Sequence, residues 1–119
     1  MNLKNKKELG NNGEEIASRY LVKKNYKIID RNFHCKLGEI DIIAKEKDEI
    51  VFIEVKTRTS IEYGRPAEAV DYRKQIHIYK TANYYLLKHN LCNIPVRFDV
   101  IEVLLKNGFF EISHIKQIF

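Results

Sequence analysis

The sequence has 119 residues, enough for one domain over residues 1–119 that buries roughly two-thirds of the surface its unfolded chain would expose. Its composition, 45% hydrophobic and 31% charged, is ordinary for a soluble globular protein, and no apolar run approaches the roughly 20 residues that a membrane-spanning helix needs. A net charge of +5 permits a polyanionic partner without requiring one.

Met1–Lys7 is polar and has none of the order of a signal peptide. Leu9, Gly13, Ile16, Ala17, Tyr20, Leu21 and Lys24 then fall on one helical stripe, with Asn11 or Asn12 as a candidate cap inside a longer start. At about 100° per residue Glu15 points away from that stripe into solvent, while Glu14 sits at its flank, within reach of whatever the helix packs on. The plain alternative is that both acids serve the helix dipole. Asn25 ends the helix. Tyr26–Phe33 reads as a first strand whose apolar positions do not alternate cleanly, and His34-Cys35-Lys36 reads as a turn rather than a metal site. Cys35 and Cys92 are isolated thiols without CxxC spacing, so a reducing cytosol is the simplest compartment.

Gly38–Lys45 and Ile50–Lys56 are short, β-branched and strongly apolar, as suits central strands covered on both faces, and Lys45–Glu49 reads as the hairpin loop between them. Asp41, Glu54 and Lys56 break the apolar pattern, and a charge in a buried strand costs several kcal/mol unless it is paired or bound. Period-2 alternation puts Phe52, Glu54 and Lys56 on one face and Val51, Ile53 and Val55 on the other. The hairpin sets Asp41 across from the charged end of its partner. The result is a site or an internal salt bridge.

Thr57–Pro66 reads as a loop with two arginines, Arg58 and Arg65, at the C-terminal end of that strand, where it can meet a phosphate backbone. Pro66 suits the first turn of a second helix, along which Asp71, Lys74, Gln75, Ile78, Ala82, Tyr85 and Leu86 share a buried face. Asn90–Pro95 is a break. Val96–Leu105 is a strand, and Asn107-Gly108 turns it into a last strand over Phe109–Ile118.

Hydrolysis of a phosphodiester by a divalent cation needs hard oxygen ligands, and Mg²⁺ keeps several waters on one or two carboxylates. It also needs a group to polarise water or meet developing negative charge. Asp41 and Glu54 offer the first and Lys56 the second. Acid-x-Lys is a weak pattern by itself. Yet of the 15 lysines only Lys56 has an acid two residues before it.

Gly38-Glu39-Ile40-Asp41 followed by Glu54-Val55-Lys56 resembles the PD-(D/E)xK nuclease signature, with Ile40 in the place of the nominal proline. Gly13-Glu14, Ala17, Tyr20-Leu21, Gly38–Asp41, Phe52–Arg58, Lys74-Gln75 and Arg97–Val100 together resemble the bacterial YraN-like family, nearly from end to end. That resemblance implies an α/β restriction-endonuclease-like fold, a mixed five-stranded sheet flanked by helices, similar to archaeal Holliday-junction resolvases. It implies Asp41 and Glu54 as ligands of Mg²⁺ or Mn²⁺, Lys56 as the catalytic lysine and Glu14 as a further acidic residue. Gln75 fits the QxxxY pattern of RecB-like nucleases and joins the candidate catalytic set. Arg58, Arg65, Arg73 and Lys74 are the candidate nucleic-acid contacts, with DNA the expected partner; a homodimer is left open. Two other readings compete: a binding module that keeps the fold without cleaving, and an adaptor that docks a protein through Arg97-Phe98-Asp99 and the Asn-Gly hairpin.

Overall fold

The computed structural model describes residues 6–59, 71–106 and 108–118. Their elements run α1 (Lys6–Lys23), β1 (Lys27–Cys35), β2 (Gly38–Glu46), β3 (Glu49–Arg58), α2 (Tyr72–Lys88), β4 (Val96–Lys106) and β5 (Phe109–Ile115). The strands form one sheet in the order β1-β2-β3-β4-β5, antiparallel throughout except for the parallel pair β3–β4. A parallel pair needs a crossover, and the stretch carrying α2 supplies it. This is the expected α/β class, with a mixed five-stranded sheet and two helices.

The apolar strands are apolar because both faces are covered. Ala17 and Leu21 of α1, with Tyr26, pack on Ile42, Ala44, Val51, Ile53, Ile101 and Val103. On the opposite face Ile78, Ala82 and Tyr85 of α2 pack on Ile40, Ile43, Phe52, Phe98 and Val100. The face of β3 that carries Phe52 therefore carries Glu54 and Lys56 under α2. Gly38 seats that helix closely, since a Cβ there would lie 2.7 Å from Thr81 Oγ1.

Both helices stop on asparagine. Asn25 (φ 70) stands just past the end of α1, the Tyr26 N–H reaches back to the Leu21 carbonyl at 2.9 Å and the Asn25 N–H to that of Val22 at 3.0 Å. Asn90 (φ 54) repeats the device after α2, with Leu91 N–H on Leu86 O at 2.8 Å. These paired bonds satisfy the carbonyls a helix end leaves unpaired, and asparagine tolerates the left-handed conformation they require.

Several boundaries differ from expectation. The first helix starts at Lys6, so Asn11 and Asn12 lie inside it rather than capping it. Asp71 is not on the buried face of α2. It is the exposed N-cap, and its carboxylate accepts the Lys74 N–H at 2.8 Å. The register of β1 on β2 slips between Ile28 and Asp30, which accounts for the broken alternation in that strand. The β2–β3 hairpin is tighter than read, closing on the pair Glu46–Glu49 with Lys47 at φ 53. The last strand ends at Ile115 rather than Ile118, because the Gln117 N–H leaves the sheet for Asp99 Oδ1 at 3.1 Å. The readings of Arg65, Pro66 and Asn107 lie outside the described residues. Among those described, no helix is long and apolar enough to cross a membrane.

Candidate metal and active site

Pairing between β2 and β3 runs from Glu46–Glu49 to Ile42–Ile53 and ends there. Beyond it β2 stays with β1 as far as Cys35–Gly38, and β3 stays with β4 as far as Arg58–Leu104. The two central strands thus fork, and Asp41 is the first residue of β2 inside the fork. Its Oδ2 accepts the Val55 N–H at 2.8 Å, doing for that amide what a ladder carbonyl would otherwise do. Glu54 stands on the facing strand. Burial pushes the Asp41 carboxyl up to about 7, and the neighbouring charge of Glu54 adds to the rise, against the Val55 hydrogen bond; Glu14 and Glu39 add smaller repulsions. Two carboxylates this close in a poorly solvated cleft resist joint ionisation.

Two lysines converge on Glu54. Lys56 Nζ lies 3.4 Å from Oε1, and Lys74 Nζ, arriving from α2, lies 2.7 Å from the same oxygen. Burial lowers the Lys56 pKa, and the adjacent Lys74 lowers it further, against the pull of Glu54. Burial works on Lys74 in the same direction, but its hydrogen bonds to Glu54 and Lys56 outweigh it and hold that ammonium above its ordinary value.

Glu14 reaches the site because α1 lies directly on the end of β3. Gly13 meets Thr57 there, and a Cβ at position 13 would collide with the Thr57 side chain, whose own Cβ lies 3.0 Å from that point. The half-buried Glu14 has a raised pKa, chiefly from burial, although Arg31 and a hydrogen bond from Asn32 oppose it; the charge of Glu54 is felt there as well. Glu15 is exposed, as its phase predicts, and pairs with Arg31 at 2.9 Å.

Three of the five candidate catalytic residues, Asp41, Glu54 and Lys56, therefore meet at the fork, and Glu14 lies near enough to feel the charge of Glu54. Gln75 is half-buried on α2 next to Lys74. Arg73 is exposed on the first turn of α2. Arg58 is not in a loop: β3 continues through it because β4 runs alongside, and its Nε lies 3.6 Å from Glu102 Oε2, with both side chains largely buried. Lys74, expected among the nucleic-acid contacts, stands on Glu54 at the fork. Its phase on the face of Ile78, Ala82 and Tyr85 is the signal in the sequence, since a charge on a buried face needs a partner. Glu39 is exposed, and its charge is felt at Asp41 and Glu14.

The other end of the sheet holds a second polar cluster. Arg97 donates to Asp99 (2.9 and 3.0 Å), Glu46 and Glu49 (each 2.9 Å) and Tyr26 Oη (2.8 Å), and His114 bridges Asp99 (2.7 Å) to Tyr20 (3.0 Å). Arg97 and Asp99 are buried in this network. Burial takes the Arg97-Phe98-Asp99 half of the adaptor reading off the surface; its other half, the Asn-Gly hairpin, falls at Asn107, outside the described residues.

Among the described residues no group of three or more His, Cys, Asp or Glu side chains is spaced to enclose a metal ion. A closed cage is not what Mg²⁺ requires, since it binds through one or two carboxylates and retains water. The donor set fits such an ion: hard oxygens whose mutual repulsion a cation relieves, held in place by the Val55 N–H on Asp41 Oδ2 and by Lys74 on Glu54 Oε1.

What these features define is an α/β protein with a forked central hairpin holding two carboxylates beside two lysines. The chain belongs to the uncharacterised protein family UPF0102, which it matches over residues 13–103, the stretch that contains Glu14, Asp41, Glu54, Lys56 and Lys74. It is 51% identical over 118 residues to a UPF0102 protein of Caldanaerobacter subterraneus subsp. tengcongensis, covering 97% of each chain. A UPF0102 protein of Clostridioides difficile is 50% identical over 115 residues, 97% of this chain and 99% of that one. One from Clostridium botulinum (strain Hall) is 53% identical over 116 residues, 95% of this chain and 94% of that one.

Proposed function

We propose that this protein is a metal-dependent endonuclease that hydrolyses DNA phosphodiesters, acting on branched or otherwise structured DNA in the cytoplasm. The observation that carries the reading is the Asp41–Glu54 pair in the strand fork, with Lys56 on the same face of β3. Asp41 and Glu54 would hold Mg²⁺ or Mn²⁺. A cation so held supplies Lewis acidity and acidifies its bound water. Lys56, with its pKa lowered by burial, is placed to take the proton of the attacking water. Water oxygen bonds to phosphorus, one ester P–O bond breaks, and the departing alkoxide takes up a proton. Glu14 would orient water by accepting a hydrogen bond. The exposed Arg73 would contact the phosphate backbone away from the reacting centre.

One observation favours a second reading, a nucleic-acid-binding module without cleavage: Glu54 Oε1 already has two ammonium partners, the arrangement of a structural salt bridge. Incubation of duplex, flapped and four-way DNA with Mg²⁺ or Mn²⁺ separates the two. The nuclease reading expects cleavage of at least one structured substrate and its loss in Lys56→Ala with DNA binding retained. Absence of cleavage from every substrate with either cation, alongside DNA binding, would establish the binding module instead.

A further inference from the structure

We propose that Lys74 holds the scissile phosphodiester itself, donating to a non-bridging oxygen, and is a second catalytic lysine rather than a distant backbone contact. The inference rests on the nuclease reading for its chemistry and on the geometry of Lys74 for its place.

One ammonium is enough to neutralise Glu54. Here two arrive from different elements on the same oxygen, and Lys74 is the nearer, at 2.7 Å against 3.4 Å for Lys56. Their exposures differ in a telling way. The Lys74 side chain is 37% exposed, Lys56 24% and Glu54 15%, so Lys74 is the one of the three most open to an incoming ligand.

The residue is also held in place. Its N–H is fixed by the Asp71 cap at 2.8 Å, and α2 is anchored one turn later by Ile78, then by Thr81, Ala82 and Tyr85. A lysine in the first turn works against the helix dipole, so helix stability does not account for it. The charge balance does. Were Asp41 and Glu54 to hold a divalent cation, it would balance their two charges, and with Lys56 starting neutral as the base, Lys74 would remain as the excess positive charge. The phosphoryl group carries one negative charge in the diester and gains a second as water adds. Donors already aimed at that developing charge act mainly in the transition state. Arg73, one position earlier and exposed, has no such aim.

The test uses the full chain, a synthetic four-way junction and Mn²⁺, with Lys74→Gln, Lys74→Arg and wild type. It reads single-turnover cleavage, junction Kd, melting temperature and, with the cation omitted, acetylation of Lys74 in free and junction-bound protein. Lys74→Gln should slow cleavage roughly 10²–10³-fold with Kd changed less than about threefold, the signature of a transition-state contact. Lys74→Arg should recover at least part of that rate. A purely structural lysine would instead lower the melting temperature and leave Lys74 equally reactive with and without DNA; the proposal expects protection by the junction while Lys88, at the far end of α2, stays reactive. Cleavage by Lys74→Gln at the wild-type rate overturns the role of Lys74 and leaves the nuclease reading standing. A wild type that binds without cleaving overturns the nuclease reading, and acetylation then decides separately: protection of Lys74 supports the phosphodiester contact, and unchanged reactivity overturns it.

Discussion

Replacing Asp41 by asparagine removes a charge while keeping the shape and an oxygen for the Val55 N–H. In the folded protein burial and Glu54 push the Asp41 carboxyl up from 3.8 to about 7. A carboxyl raised in this way binds its proton more tightly when folded, so its contribution to stability is complete below pH 3.8 and is lost as the pH rises through about 7. At about 1.4 kcal/mol per pH unit, the full cost of ionising Asp41 in place is of the order of 2–4 kcal/mol, the lower figure allowing for charge shared with Glu54. Asp41→Asn escapes that cost. For a chain of this size it should melt on the order of 10 °C above wild type at pH 8. The difference should shrink steadily on the way down and vanish near pH 4. Melting both proteins across pH 4–9 and subtracting at each pH cancels the titrations that do not depend on Asp41, leaving its own and that of the groups it interacts with. Millimolar Mn²⁺ should then raise the wild-type melting temperature at pH 8, because a cation that binds only the native state stabilises it. It should leave Asp41→Asn nearly unmoved. Equal melting temperatures for the two proteins at pH 8 would refute the like-charge argument, and with it the reason for a cation between these carboxylates.

Gly13→Ala should destabilise by about 1–3 kcal/mol, since the added methyl meets Thr57 where α1 touches β3; Thr57→Ala in the same chain should recover part of the loss in urea titrations. Asp99→Ala should cost about 1–3 kcal/mol by leaving the buried Arg97 Nε–H without its acceptor, while Glu46 and Glu49 still balance the guanidinium charge. Burial disfavours ionised Asp99, but His114, Arg97 and the Gln117 N–H outweigh it and hold its pKa below the ordinary 3.8, so that stabilisation should persist above pH 4 and fade on acidification. Arg73→Ala should weaken DNA binding about equally for all sequences and reduce the salt slope by about one, as measured by fluorescence anisotropy across 50–200 mM salt. A sequence-dependent loss would instead place Arg73 at a base edge.

Local spacing alone determines a good deal of this protein. Two helical stripes, five strands and the two asparagines that end the helices are legible because helix period, strand period and left-handed tolerance are properties of short stretches. Alternation in β3 is enough to place Glu54 and Lys56 together, and the phase of α1 is enough to separate Glu14 from Glu15. What spacing does not report is which long side chains meet across elements. The fork arises because β2 and β3 each keep their outer neighbours after leaving one another, a property of the whole sheet. Arg58 becomes part of β3 only because β4 extends beside it, and Arg97 becomes a buried hub only because the Glu46–Glu49 turn, Tyr26 and His114 are brought around it. Lys74 sits twenty residues from Glu54 in the chain. Packing α2 across the fork puts its ammonium on that carboxylate, and no local pattern encodes that distance.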